Sequence, residues 1–250
     1  MIKAQGDTKE RIVGHIVAHD YRKSRALASL GVDYSCGGNR TLGQVFSGKD
    51  DELNAVLQEW EKIDRQPPAR EMDFLGWDMA FLTNYIMQLH HRFVSSQTKF
   101  ITELAGKVAE SNYARNPEVR DIAGIFETTG KRLELKGRQE ELDLFPYIIE
   151  LHEAMAKGTN LKPAVFGPVA GPIGTIKTEG GQIVAALVRI RKMTNNYTAP
   201  PYTTSTCAIL YKLLAEYEAD TLLHLHLENN ILFPRAILTE DCLRANQQIT

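Results

Sequence analysis

Four long stretches of this chain space their apolar residues at three- and four-residue intervals, a period that only a helix gathers into one stripe. The stripes run Leu82, Tyr85, Ile86, Leu89, His90 and Phe93; then Ile122, Ile125, Phe126, Thr129, Leu133, Lys136 and Glu140. The third holds Ile173, Ile176, Gly180, Ile183, Val184, Leu187 and Ile190, and the fourth Leu210, Leu213, Tyr217, Thr221, His224, Glu228 and Ile231. Helices with such stripes bury them against one another, so the chain reads as all-α with a four-helix bundle. Alternating β-branched runs are few. The anomaly is polar: His90, Lys136, Glu140, His224 and Glu228 stand on stripes that otherwise read as core.

The N-terminal part is organised differently. Residues 1–65 read as a small domain of short helices, with apolar sets Ile12, Val13, Ile16, Val17; Ala26, Leu27, Leu30; and Leu53, Val56, Leu57, Trp60. Between them, Val32-Asp33-Tyr34-Ser35-Cys36-Gly37-Gly38-Asn39-Arg40-Thr41 predicts a tight turn whose glycines leave the amides open. Asn39 or Thr41 is the expected cap of the next helix. Residues 66–73, with Pro67-Pro68, read as a linker, residues 74–240 as the bundle and 241–250 as a tail. The segments 158–171 and 194–202 are rich in glycine, proline or asparagine and read as loops.

Composition narrows the function classes. Hydrophobic content of 43%, charge of 24% and a net charge of −2 describe an ordinary globular chain and give no case for nucleic acid or an anionic membrane. No apolar run reaches the length of a membrane span, and Met1–Asp7 lacks the apolar core of a signal peptide. Cys36, Cys207 and Cys242 form no disulfide framework, so a cytoplasmic, reducing compartment is the expectation.

The inner polar groups have two readings. His224 and Glu228 are one turn apart on one helical face, and Lys136 and Glu140 repeat that spacing in Lys136-Gly137-Arg138-Gln139-Glu140-Glu141-Leu142-Asp143-Leu144-Phe145-Pro146. Two helices bringing Glu140 and Glu228 to one level need a cation between the carboxylates. A metal ion supplies it, and carboxylates with histidine ligands suit iron or manganese. Alternatively the Lys136 ammonium is itself that cation, and the site is a buried ion pair without metal. Cys36 is either a thiolate stabilised by glycine amides and a helix start, with a catalytic role, or a small core residue. Cys207 and Cys242 read as structural or incidental. His15, His19, His91, His152 and His226 are expected at surfaces or helix flanks.

Several segments together resemble the repair-of-iron-centres family: Gly31-Val32-Asp33-Tyr34-Ser35-Cys36-Gly37-Gly38, Leu89-His90-His91-Arg92, Thr194-Asn195-Asn196-Tyr197-Thr198, and Leu227-Glu228-Asn229-Asn230-Ile231-Leu232-Phe233-Pro234-Arg235. The resemblance spans nearly the whole chain. It implies a small N-terminal Cys-Gly-Gly domain followed by a hemerythrin-like up-down four-helix bundle. It also implies a di-iron centre of four histidines and two bridging glutamates. By position, His90, Glu140, His224 and Glu228 match metal ligands of that pattern. Two ligand positions are lost: Lys136 stands for one histidine and Gly180, after Glu179, for another. A further histidine is missing around Asn112, and Ser35-Cys36 stands where the family has adjacent cysteines.

Two functions follow. In the first, the chain is a non-haem iron protein of the nitric-oxide and oxidative stress response that acts on damaged iron–sulfur proteins. Its degenerate site holds one or two irons. In the second, it is a metal-free binding or regulatory protein in which Lys136 replaces the metal charge. A lysine ammonium has no lone pair for a metal, and glycine offers no donor at all. If both lost histidines belong to one iron position, the other keeps two histidines and two carboxylates; if they belong to different irons, both positions are crippled. A monomer or homodimer suits either function.

Overall fold

The computed structural model describes residues 8–66, 73–112, 117–201 and 203–249. Pro67 and Pro68 of the expected linker, the first seven residues and the side chain of Asn112 lie outside the described residues. The elements are helical: α1 (Val13–His19), α2 (Ser24–Ser29), α3 (Leu42–Val45), α4 (Asp50–Asp64), α5 (Met79–Tyr85), α6 (Arg92–Asn112), α7 (Glu118–Gln139), α8 (Phe145–Lys157), α9 (Ala170–Met193), α10 (Ser205–Leu227) and α11 (Phe233–Ile249). A 3₁₀ turn at Tyr21–Lys23 precedes α2, and Ile12 and Thr41 form an isolated bridge. The chain is all-α. No described helix is long and apolar enough to cross a membrane.

Three wide π turns interrupt the long helices without breaking them: Ile86–His91 joins α5 to α6, Glu140–Leu144 joins α7 to α8, and Glu228–Leu232 joins α10 to α11. Two have a cause in the sequence. Pro146 and Pro234 follow Leu144-Phe145 and Leu232-Phe233, and a proline ring collides with the carbonyl four residues earlier. Those carbonyls belong to Leu142 and Asn230, inside the widened turns. The turn at Ile86–His91 has no such proline.

Chain contacts gather into two compact units. One comprises Met1–Leu82, Leu151–Lys162 and Leu225–Thr250, the other Thr83–Glu150 and Pro163–His224. In the second unit α6, α7, α9 and α10 share one core, built from Val94, Ile101 and Ala105, from Ile122, Phe126 and Leu133, from Ile183, Leu187 and Ile190, and from Leu210, Leu214 and Tyr217. Phe126 meets Tyr217 edge-on at 4.9 Å, a geometry worth about 1 kcal/mol beyond the buried area. At Gly130 an added Cβ would lie 2.5 Å from Thr98 Cγ2, so this glycine lets α6 and α7 approach closely.

The predicted stripes of α7, α9 and α10 are buried almost throughout. The first stripe is displaced. Leu89 is 47% exposed and Phe93 is half-buried, while Val94, Thr98, Ile101, Ala105 and Val108 face inward. The π turn inserts one residue into the helical repeat, so every inward position beyond it shifts by one.

The first unit holds the turn around Cys36. Thr41 caps α3 with a capping box: its hydroxyl accepts from the Gln44 amide and its own amide donates to Gln44 Oε1. Asp50, Asp51 and Glu52 open α4, where acidic side chains favour the helix dipole. The Gly37 amide, expected to be open, is taken up. The Asp33 carboxylate accepts from the backbone of Ser35 at 2.9 Å, Cys36 at 3.0 Å and Gly37 at 2.9 Å.

Candidate metal centre

All three π turns lie beside the polar residues of the stripes. Glu140 opens one, Glu228 opens another, and His90 and His91 close the third. π turns recur at functional sites because they aim side chains that a regular helix would rotate away.

His91, Glu140, His224 and Glu228 are all buried, and each offers a ligand atom that lies within 4.8 Å of the others. Glu228 stands one turn past His224 on an unbroken helix, so the helix itself sets their spacing. His91 Nε2 lies 3.5 Å from Glu140 Oε2. Its Nδ1 lies 2.8 Å from Glu141 Oε1, and its ring stacks on Phe145 at 5.4 Å. A carboxylate on Nδ1 holds the proton there and leaves the Nε2 lone pair toward the centre, the outer arrangement typical of metal-bound histidines. Gly137 assists: a Cβ there would sit 3.4 Å from the His91 ring, so a larger side chain would press on it.

Lys136 enters the same group. Its ammonium donates to Glu140 Oε1 at 2.6 Å, and neither side chain has any exposure. An ion pair without water is retained only where further partners meet both charges. Gly180 is buried in α9 and supplies no donor.

His90, expected as a ligand, stands outside the group of four. It is buried, its Nδ1 lies 2.9 Å from Asp220 Oδ1, and its ring stacks on His224 at 5.5 Å. Its Nε2 has no hydrogen-bond partner. His91, expected at a surface, takes the place in the group. The one-residue advance of the π turn turns both histidines inward, and no apolar spacing in the sequence announces it.

His226 also departs from its expected place at a helix flank. It is fully buried against Tyr21 and Tyr34, with Nδ1 2.9 Å from Asn230 Nδ2. Burial pushes its pKa down to about 4, so the ring is neutral at pH 7. His15 and His19 are exposed, and His152 lies 3.8 Å from Asp78.

The motif that follows Glu228 fastens the Cys36 turn. Asn229 Nδ2 donates to Cys36 Sγ at 3.4 Å, and Asn230 Nδ2 donates to the carbonyls of Tyr34 and Ser35 at 3.1 Å. A Cβ on Gly38 would lie 2.6 Å from Asn230 Oδ1, so the second glycine of the turn is required by this approach. Arg235 donates to the carbonyls of Leu75 and Trp77. Cys36 is half-buried and forms no disulfide, Cys207 is in the core and Cys242 is exposed.

These features can be set beside known proteins. Residues 9–64 match the ScdA_N model, a domain of unknown function (DUF542). Iron-sulfur cluster repair protein YtfE of Escherichia coli O81 (strain ED1a) is 28% identical over 233 residues, covering 93% of this chain and 99% of the relative. YtfE of Escherichia fergusonii is 27% identical over the same shares. Over nearly its whole length the chain is similar to these iron-sulfur cluster repair proteins. The N-terminal match carries the Cys36 turn, and the full-length match carries the helices of the candidate centre. In this chain Lys136 places an ammonium on a carboxylate of the group.

The donors present fit one metal ion. Two imidazoles and two carboxylates form a set suited to iron, and the four atoms converge within the protein. Lys136 has no lone pair to offer a metal and Gly180 no side chain.

Proposed function

We propose that this protein is an iron-sulfur cluster repair protein with a mononuclear iron site. His91, Glu140, His224 and Glu228 hold the ion, and the Lys136 ammonium supplies the charge that a second ion would bring. The observation that supports this reading is the convergence of four buried donors beside a buried lysine on one of them. Bound there, iron supplies a redox-active ion with oxygen and nitrogen ligands, able to be released to a damaged cluster or to take up nitric oxide.

The protein's own groups set the terms of that exchange. Glu141 orients His91, and Lys136 competes for Glu140, so the iron is held by a carboxylate already sharing its charge. A cavity of about 220 Å³ is lined by His91, His224, Ser95, Glu134 and Arg138, among others, and gives small molecules a route to both imidazoles. Cys36, held through Asn229, is the candidate thiol for a step involving a partner. Damaged iron–sulfur proteins of the cytoplasm are the proposed partners, in the nitric-oxide and oxidative stress response. The small domain, linker and bundle boundaries near residues 65 and 74 remain the proposed organisation.

The test is reactivation. An iron–sulfur dehydratase inactivated by nitric oxide is incubated with the iron-loaded protein, with the apoprotein, and with free ferrous ion at equal concentration. Recovery faster with the loaded protein than with free iron supports the reading; equal rates in all three arms refute it.

The Lys136–Glu140 pair favours a second reading, in which the buried charges are matched without metal and the protein binds or regulates a partner. Absence of iron uptake under anaerobic reconstitution selects it.

A further inference from the structure

A separate cavity lies on α7 and α9, with a volume of about 490 Å³, inside the range of small-molecule sites. Its lining carries three arginines, Arg120, Arg132 and Arg189, against one acidic residue, Asp121. Arg132 donates to Gln182 across the two helices. Arg189 makes no side-chain hydrogen bond or ion pair with any described residue. Ile125 and Ile183 add apolar lining between the charged groups.

The lining is open to solvent at Gly124, where an added Cβ would meet nothing within 4 Å.

We infer that this cavity binds a small organic anion bearing phosphate or carboxylate groups, met by Arg132 and Arg189 of its lining. Guanidinium forks match the paired oxygens of both groups. The isoleucines cover its carbon body, and Gln182 offers an amide already held in place by Arg132. The site draws on none of the candidate iron ligands, so it goes beyond the function proposed above and acts with or without iron.

The test uses the full chain, treated with chelator, in isothermal titration and thermal melting. Inorganic pyrophosphate and citrate are the probes, each against sodium chloride of equal ionic strength to remove general screening. Saturable binding and a raised melting temperature with either probe support the site, and the better probe identifies the anionic group. Arg189→Ala and Arg132→Ala each weaken binding by about tenfold, the loss of one charge-assisted contact. Gly124→Leu fills the space and abolishes the ligand-induced shift, while its own melting temperature without ligand is no lower than the wild type's. No saturable binding of either probe overturns the proposal, as does binding unchanged in all three variants.

Discussion

Replacing Lys136 by methionine isolates the charge on which the centre depends. The ammonium and Glu140 Oε1 are 2.6 Å apart with no solvent contact on either side chain. Methionine keeps much of the stem's volume and removes only the charge and its donors. Breaking a buried pair from one side leaves the other charge uncompensated, which destabilises by about 3–5 kcal/mol. The chelated Lys136→Met variant should therefore unfold in urea at a midpoint lower by about 1.5–2.5 M, given a slope near 2 kcal/mol/M. Ferrous ion should recover much of the loss, because a ligand at a hundred times its Kd adds about 2.7 kcal/mol. Removing both charges, in Lys136→Met/Glu140→Leu, should be milder than the single change, since a matched apolar pair replaces a matched ionic one. A loss below about 1 kcal/mol in the single variant, with no coupling in the double, would show that Glu140 is solvated or compensated elsewhere, and the reasoning fails.

Other outcomes follow from neighbouring residues. Glu141→Ala should lower iron affinity by about tenfold to a hundredfold in a ferrous titration, since it removes the carboxylate that orients His91. Gly130→Val should destabilise by about 1–3 kcal/mol through its collision with Thr98, read by thermal melting. His226 has a pKa near 4 in the fold against an ordinary 6.5, so the unfolded chain binds the extra proton between those values. Stability from this residue is complete above pH 6.5 and falls by about 3 kcal/mol as pH drops toward 4. His226→Gln should flatten that part of the stability profile. Lys136→His with Gly180→His should raise the iron content above that of the parent, measured by elemental analysis.

Much of this is legible in the chain, and each failure has an identifiable physical source. The stripes of α7, α9 and α10 follow a regular helical repeat, so Glu140, His224 and Glu228 were placed inside from spacing alone. The first stripe led to His90 because regular spacing was extended across Ile86–His91. A π turn there advances the inward face by one residue and brings in His91. The prolines at 146 and 234 could have signalled the other two widened turns; the first has no such mark. The turn at Cys36 was visible in Gly37-Gly38, but its amides looked open because the reach of the Asp33 side chain is not a matter of spacing. His226 was misplaced for a related reason. Its neighbours Tyr21, Tyr34 and Asn230 come partly from remote sequence.

The number of ions per chain bears most directly on the account. Apoprotein titrated anaerobically with ferrous ion, followed by elemental analysis after gel filtration, should retain one iron per chain, and after air oxidation should lack the near-ultraviolet band of an oxo-bridged ferric pair. Two irons per chain with that band would contradict the place given to Lys136, and no retained iron would contradict the centre itself.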